Sequence, residues 1–345
     1  MRKLDISFFL YIWYNDSKFI CDEKGFEMMK NVVVIGGGTG LSTLLRGLKL
    51  FPMNITAIVT VADDGSSTGR LRKEFDTPAV GDLRNVLVAL SEVEPLVEEL
   101  LQYRFNTYSD LDKHAMGNLL LTAMYNITGS LTESLEALSK ILNIKGRVLP
   151  FTEDKAILMA HTTDGEVIEG ESNITKAGKH IKSVNYKNKV KVTPQVIKAV
   201  HDADLIIIGI GSLYTSIIPN LLSSEMKRAL KNSKAKKMYI CNIMSEHGET
   251  DDFKVSDCVK QINKYVDKNF INVVLANKTN VPNDILELYK EEKSAQIMID
   301  KDNINKMGVK LITADLLRIT DKKQVRHDNI KTALEVFTYL TRGSK

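Results

Sequence analysis

Two kinds of apolar pattern alternate along most of this chain. Short runs rich in β-branched residues predict strands at residues 32–35, 55–61, 204–208, 237–243 and 271–275. Longer segments with apolar residues at helical spacing lie between these runs. Alternating strands and helices are typical of a mostly parallel sheet that helices cover on both faces. The pattern therefore predicts an α/β fold built on a doubly wound, mostly parallel Rossmann-like sheet.

Helix start and stop signals refine this pattern. We predict helices at residues 82–90, 94–103, 118–127 and 131–142, with Gly129 ending the third and Ser130 opening the fourth. Asp82 is the predicted N-cap of the first. Thr193 and Pro194 open a further helix, and a last one runs from about 329 to 340 with Gly343 just beyond it.

Residues 146–187 do not follow the alternation. The segment AILMAHTTDGEVIEGES has a Thr-Asp-Gly turn between two extended runs, which predicts a β-hairpin. We expect a small antiparallel β insertion in this region. The chain contains no internal repeat and no low-complexity linker. Residues 29–342 are therefore predicted to form a single Rossmann-like domain that carries the insertion.

The first 28 residues differ from the rest of the chain. The segment ISFFLYIWY is rich in aromatic residues, but its apolar run is far shorter than the roughly 20 residues that span a bilayer. A small-residue cleavage site is absent before Glu27. Met28 or Met29 directly precedes the first predicted strand. We expect residues 1–28 to be an extension outside the fold, with the true start at one of these methionines.

Composition and charge narrow the class of protein. Of 345 residues, 43% are hydrophobic and 26% are charged, as in ordinary soluble globular proteins. The net charge of +4 balances 47 basic against 43 acidic residues, which gives no polybasic footprint for nucleic acid. The three cysteines have no C-x-x-C spacing and two fall in predicted regular structure, which favours free thiols in a reducing compartment.

Glycine, hydroxyl and acidic residues follow four of the predicted strands. The segments are GGGTG (36–40), ADDGSSTGR (62–70), GIGSLYTS (209–216) and MSEHGETDD (244–252). In open α/β sheets, ligands bind outside the carboxyl ends of the strands. The sequence therefore predicts one ligand crevice that these four loops line.

The first of these segments lies within VVVIGGGTGLSTLLRGL, which is typical of strand, tight turn and helix. Backbone N–H groups at such a helix N-terminus favour an anion. The dinucleotide fingerprint G-x-G-x-x-G fits only in part, because Leu41 or Thr43 stands at the third glycine position. A turn required only for packing is the alternative to a phosphate site. The candidate ligand residues here are Gly37, Gly38, Thr39 and Gly40.

The second and third loops add further candidates. Asp63 and Asp64 are suited to a ribose hydroxyl or to a metal ion such as Mg²⁺, or they cap the turn. Ser66 is a further donor in this loop. The segment VGDLRN adds Arg84 and Asn85. These two residues have mainly a structural role, unless Arg84 reaches a phosphate. The segment GIGSLYTS predicts a second glycine turn opening a helix, with Tyr214 as a stacking face. Its candidate residues are Gly209, Gly211, Ser212, Tyr214, Thr215 and Ser216.

Histidine spacing indicates neither a zinc site nor a catalytic triad, so we assign no histidine a catalytic role. The segment HGETDD fits a metal loop or a solvated acidic turn equally well.

Six motifs in this order, GGGTG, TVADDG, GDLRN, GIGSLYTS, GETDDF and VRHD, resemble the bacterial gluconeogenesis factor family. That family shares a superfamily with the 2-phospho-L-lactate transferases of deazaflavin cofactor synthesis. The resemblance covers residues 31 to about 340. It implies a Rossmann-like fold and a cytoplasmic protein needed for normal cell shape during growth on gluconeogenic carbon sources. It also implies binding of UDP-sugars such as UDP-N-acetylglucosamine, with no firmly assigned catalysis.

The resemblance also implies specific residues and partners. A tyrosine in a segment like ELYKEEK and the arginine of the RHD motif contribute to UDP-sugar binding in the family, and these match Tyr289 and Arg326. The GETDDF motif adds Gly248, Glu249 and Thr250. The expected partners are the nucleotide-sugar, regulatory proteins of the cell envelope and a second copy of the chain, without nucleic acid or a membrane span.

Three motifs depart from the family pattern. Ile210 replaces the proline of G-P-G-S-L-Y-T-S, and Asp252 replaces the last glycine of G-E-T-D-G. The loop at 63–69 reads DDGSSTG where the family has D-D-G-G-S-S-G. These changes bear on loop rigidity and ligand preference.

Three hypotheses for function follow. The first is a UDP-sugar-binding regulatory factor, and the second is an Mg²⁺-dependent transferase that moves a phospho-acyl group from a nucleotide diphosphate. The third, an NAD(P)-dependent oxidoreductase, is the weakest because the fingerprint is incomplete and no acid–base pair for hydride transfer is evident.

Overall fold

A computed structural model of the chain describes residues 21–22, 25–26 and 29–342. Apart from residues 21–22 and 25–26, the predicted extension 1–28 lies outside the described residues. Gly343 also lies outside them. The described strands, in chain order, are Cys21–Asp22 (β1), Gly25–Phe26 (β2), Asn31–Gly36 (β3), Asn54–Val59 (β4), Arg147–Pro150 (β5), Leu158–Thr162 (β6), Val167–Glu169 (β7), Ile181–Tyr186 (β8), Leu205–Ile208 (β9), Lys236–Ile240 (β10), Val273–Asn277 (β11), Lys310–Ala314 (β12), Leu317–Ile319 (β13) and Val325–His327 (β14).

Helices connect these strands. In chain order they are Gly38–Leu48 (α1), Ser66–Phe75 (α2), Gly81–Leu90 (α3), Pro95–Gln102 (α4), Met116–Thr128 (α5), Leu131–Ile141 (α6), Glu171–Ala177 (α7), Pro194–His201 (α8), Ser224–Asn232 (α9), Val255–Val266 (α10), Asn283–Glu291 (α11), Lys301–Lys306 (α12) and Asn329–Arg342 (α13). A π-helical turn, Leu213–Ile217, and a 3-10 turn, Ile218–Leu221, stand between β9 and α9. No helix in the described part of the chain is long and apolar enough to cross a membrane.

The central sheet has seven parallel strands in the order β12-β11-β10-β9-β3-β4-β5. Every residue of Val32 to Ile35 in β3 is at most 2% exposed, because helices cover both faces of the sheet. Strands buried on both faces are expected to be continuously apolar rather than alternating. The predicted mostly parallel, doubly wound sheet is therefore confirmed.

Helix α1 is fixed against the last helix, α13, by a glycine. A Cβ atom at Gly47 would lie 2.0 Å from the carbonyl oxygen of Asn329, so only a glycine lets the two backbones meet. This contact places the C-terminal part of the chain beside the helix that follows β3.

A small antiparallel sheet, in the order β7-β6-β8, forms the predicted insertion. The Thr-Asp-Gly turn joins β6 to β7, and Gly165 in it has φ +90°. The insertion is narrower than predicted, because Arg147–Pro150 pairs with β4 as an edge strand of the central sheet. Four residues that end in a proline give too short a pattern for that strand to be recognised.

The helix boundaries follow the sequence signals with one correction. The Ser130 hydroxyl accepts the Glu133 N–H at 3.3 Å, and Gly129 ends α5 at φ +72°, both as predicted. Asp82, however, is not an N-cap. Helix α3 begins one residue earlier, at Gly81, so Asp82 lies inside its first turn, where its carboxylate is free for other contacts.

Candidate ligand-binding site at the carboxyl ends of the strands

Two glycine turns meet at the centre of the sheet because β3 and β9 are neighbours. A Cβ atom on Gly40 would lie 2.9 Å from the carbonyl oxygen of Ile210. One on Gly211 would lie 3.2 Å from the carbonyl oxygen of Gly37. The turns therefore pack backbone against backbone. The structure joins the segments 36–40 and 209–216 into one site, as the strand-end argument predicts.

The first glycine turn leads into α1. Gly38 has φ +68°, and Gly37 is the residue before the first helical turn. The backbone N–H of Gly38 donates to the carboxylate of Asp82. A carboxylate at a helix N-terminus occupies the position that a ligand anion would take. Asp82 is thus a protein group that competes with a phosphate for this turn.

The second glycine turn is held from behind by Glu249. Both carboxylate oxygens of Glu249 lie 2.6 Å from the Ser212 hydroxyl, and one accepts the N–H of Tyr214 at 2.8 Å. Thr215 donates its hydroxyl to Ser212 at 2.7 Å. Burial, and secondly the charge of Glu246, raises the pKa of Glu249 to about 8. The glycine signal predicted the start of an α-helix here, but the structure has a π-helical turn instead.

Two asparagines that the sequence analysis did not single out fix both turns. Asn242 donates from Nδ2 to the Gly211 carbonyl at 2.8 Å and accepts the Gly211 N–H at 3.4 Å. Asn220 donates from Nδ2 to the carbonyl oxygens of Gly36, at 3.3 Å, and Ser216, at 2.9 Å. The position of Asn242, two residues after β10, was a usable signal, whereas Asn220 lies far from any strand end.

Acidic side chains gather beside the first turn. Asp63 and Asp64 lie in the loop after β4, where Asp63 accepts the Gly65 N–H at 2.9 Å and Asp64 accepts the Ser172 N–H at 2.8 Å. Burial, then the charges of Asp63 and Asp64, raises the pKa of Glu171 to about 7. Burial, then Asp63, raises the pKa of Asp82 to about 7. Crowded carboxylates of this kind favour protonation or a cation.

These carboxylates alone do not complete a metal centre. Among the residues that the structure describes, no group of three or more His, Cys, Asp or Glu side chains is placed to hold a metal ion. Mg²⁺ is usually bound through one or two carboxylates together with substrate phosphates. The donor set of Asp63 and Asp64 fits that mode of binding.

Arg84 and Tyr214 have different surroundings from those expected. Arg84 is only 7% exposed and donates to Asn85 at 2.7 Å, while its Nε atom has no partner. Burial, then Arg104, lowers the pKa of Arg84 to about 10. Tyr214 is 1% exposed, so its ring does not present an open stacking face. Ser66 is the first residue of α2, at the end of the Asp63–Asp64 loop.

The loop after β10 carries the GETDDF motif. Gly248 has φ +83°, and the Thr250 hydroxyl accepts the Glu246 N–H at 2.8 Å, which closes the loop on itself. Asp252 has φ +58°, a region that glycine enters most easily and aspartate tolerates.

The C-terminal hairpin, β13 and β14, brings Tyr289 and Arg326 together. The phenol oxygen of Tyr289 accepts the N–H of Val325 at 2.8 Å. Arg326 is exposed, donates to the Val325 carbonyl at 3.0 Å and to Gln324 at 3.2 Å, and forms no ion pair with a described carboxylate. His327 is buried, with Nε2 3.1 Å from the Cys241 carbonyl. Strand β14 packs against α1, the helix that follows the first glycine turn.

The fold and the site together define a Rossmann-like α/β protein with paired glycine turns at the carboxyl edge of its sheet. The 2-phospho-L-lactate transferase CofD family matches residues 32–317, and the chain belongs to this family. In this chain Cys241 and Cys258 are buried free thiols.

Two bacterial gluconeogenesis factors and one solved structure are similar to this chain over most of its length. The gluconeogenesis factor of Halalkalibacterium halodurans is 46% identical over 305 residues, which are 88% of this chain and 94% of that protein. The gluconeogenesis factor of Bacillus subtilis is 46% identical over 304 residues, 88% of this chain and 95% of that protein. The crystal structure of protein BH3568 from Bacillus halodurans matches with a TM-score of 0.87 and 45% identity, covering 90% of this chain and 100% of that one.

Proposed function

We propose that this protein is a UDP-sugar-binding gluconeogenesis factor. In this proposal it acts in the cytoplasm, through regulatory protein partners of the cell envelope, to keep cell shape normal during growth on gluconeogenic carbon sources. Relatives named gluconeogenesis factors, 46% identical over nearly their whole length, support the class. The packing of two glycine turns beside a hairpin with an unpaired arginine supports a diphosphate ligand.

The unpaired guanidinium of Arg326 is the observation that carries the proposal. It is exposed and forms no ion pair among the described residues, and its strand packs on α1. Arginine binds phosphate through two parallel N–H donors. In this proposal the diphosphate accepts hydrogen bonds from the N–H groups at the start of α1 and from the guanidinium of Arg326. The uracil or sugar ring then lies towards Tyr289, whose aromatic face suits a planar or sugar ring.

Calorimetric titration of the full chain tests the proposal. UDP-N-acetylglucosamine is expected to bind, UDP more weakly, and NAD not at all. A matched titration with GDP tests whether the site distinguishes uracil from guanine. If UDP-N-acetylglucosamine gives no binding heat while the chain is folded, the proposed ligand class is wrong.

A second candidate function is an Mg²⁺-dependent transfer of a phospho-acyl group from a nucleotide diphosphate. The family assignment and the crowded carboxylates Asp63, Asp64 and Glu171 favour it. Mg²⁺ would supply charge neutralisation for the diphosphate, while Asp63 and Asp64 would hold the ion. A thermal-shift series with GDP, with and without Mg²⁺, distinguishes the two: stabilisation that requires both Mg²⁺ and GDP, and is lost in Asp63→Asn, supports the transferase.

A further inference from the structure

A cavity of about 400 Å³ lies beside Glu249 and Tyr214, and Tyr214 belongs to the second glycine turn. The start of β8, the loop after β10 and helix α10 form its walls. The backbone there is tightly joined, since Ile181 donates its N–H to the Gly248 carbonyl at 2.9 Å. This volume is within the range of small-molecule sites in proteins.

Two lysines and two carboxylates, those of Asp251 and Glu249, face this cavity, and both carboxylates already accept hydrogen bonds from the protein. Lys182 and Lys264 line it, both are exposed, and neither pairs with a carboxylate among the described residues. Asp251 also lines it, but its carboxylate already accepts from Gly248 N–H at 2.6 Å and lies 3.0 Å from His247 Nδ1 and 3.3 Å from His180 Nδ1. The two ammonium groups are therefore left for an anion.

The same walls offer an acceptor and an aromatic surface. The Oε1 atom of Gln261 is buried and has no hydrogen-bond partner, which costs free energy until a donor reaches it. Phe253 is half-buried and adds an aromatic wall. A ligand that satisfies both features carries a hydroxyl group and a ring or carbon skeleton beside its anionic group.

We propose that this cavity is a second ligand site, which binds a hydroxylated organic phosphate of the sugar phosphate class. The phosphate lies between Lys182 and Lys264, a sugar hydroxyl donates to Gln261 Oε1, and the sugar ring packs on Phe253. Tyr214 and Glu249 adjoin both this cavity and the second glycine turn, so the two sites are neighbours, and each is tested with its own ligand.

Titration of the full chain with glucose 6-phosphate tests the proposal, with inorganic phosphate and glucose as partial probes. Wild-type protein should bind glucose 6-phosphate more tightly than either partial probe. The double variant Lys182→Ala/Lys264→Ala should bind it at least tenfold more weakly. Lys236→Ala, which removes an exposed lysine at the start of β10 on the opposite edge of the sheet, should bind as wild type.

A third variant tests the hydroxyl contact. Gln261→Leu should lower the affinity for glucose 6-phosphate severalfold and leave the affinity for inorganic phosphate unchanged. Thermal unfolding and titration with UDP-N-acetylglucosamine check that each variant remains folded and that the glycine turns are intact. No binding of glucose 6-phosphate to wild type, or equal affinity in the double lysine variant, overturns the site. Equal affinity in Gln261→Leu, or phosphate binding as tight as the sugar phosphate, overturns the sugar phosphate assignment.

Discussion

The phenol oxygen of Tyr289 accepts the backbone N–H of Val325 at 2.8 Å, one residue before Arg326. Tyr289 lies on α11 and Arg326 on β14, so this hydrogen bond connects a helix to the C-terminal hairpin. The tyrosine therefore positions the strand that carries the arginine, whether or not its ring also touches a ligand.

Removal of the Tyr289 hydroxyl separates these two roles. Tyr289→Phe loses one hydrogen bond and should lower the free energy of unfolding by about 1 kcal/mol. Affinity for UDP-N-acetylglucosamine should fall by severalfold because β14 is held less firmly, and Tyr289→Ala should lose more. Calorimetry and thermal unfolding measure both effects. Wild-type affinity in Tyr289→Phe would show that the hydrogen bond does not matter for binding.

Arg326→Ala tests the proposed phosphate contact. The loss should be roughly 1.5–3 kcal/mol, the range of a hydrogen bond to a charged group, which is about tenfold to more than a hundredfold in affinity. Arg326→Lys should recover only part of it, because an ammonium lacks the planar fork of the guanidinium. Lys322→Ala removes the same charge from the exposed turn of this hairpin and should change affinity little. Equal effects of Arg326→Ala and Lys322→Ala on affinity would mean that Arg326 contributes only its positive charge and no specific phosphate contact.

The role of the first glycine turn can be tested by comparing a substitution at Gly38 with the same substitution at Gly165, which lies outside the site. Gly38 and Gly165 both have positive φ, +68° and +90°. A Cβ atom at Gly165 would meet open space, and one at Gly38 would make only an ordinary contact, 3.6 Å from the Ser216 hydroxyl oxygen. Valine at either site should therefore destabilise the fold by a similar amount, about 1 kcal/mol or more. Only Gly38→Val should abolish nucleotide binding, because its side chain blocks the start of α1. Retained affinity in folded Gly38→Val would exclude a phosphate site at this turn.

Glu249 should make stability depend on pH. Its pKa is about 8 in the folded protein and near 4.5 in the unfolded chain, so the folded state holds a proton that the unfolded state releases. The contribution to stability is complete below about pH 4.5 and is lost as the pH rises towards 8. Glu249→Gln, which cannot ionise, should reduce the fall in Tm between pH 5 and pH 8 by a few degrees. The control Glu99→Gln, at an exposed position, should leave the pH profile as in wild type.

The central strands could be predicted because strands buried on both faces consist almost entirely of apolar residues. Val32 to Ile35 form a continuous β-branched run, and such a run has few alternatives to a strand covered on both faces. Arg147–Pro150 was missed, because an edge strand of four residues carries no comparable pattern. The general position of the site followed from what stands after each strand, a rule that depends only on sheet topology.

The supporting contacts within the site were beyond reach of the sequence. The carboxylate of Asp82 reaches Gly38 only because α3 begins one residue before the predicted cap. The burial of Tyr214 depends on a π-helical turn that has no simple sequence signal. These features are set by tertiary packing rather than by local preference.

The bond from Asn220 to the Gly36 carbonyl spans 184 residues of sequence. At synthesis rates of about 5–20 residues per second, roughly 10 to 40 s separate the translation of these two residues. During that interval a nascent chain carries the first glycine turn without the second, without Asn220 and without the arginine of the last hairpin. A nucleotide ligand that needs both turns and Arg326 therefore cannot engage a nascent chain in which residue 326 has not yet been made.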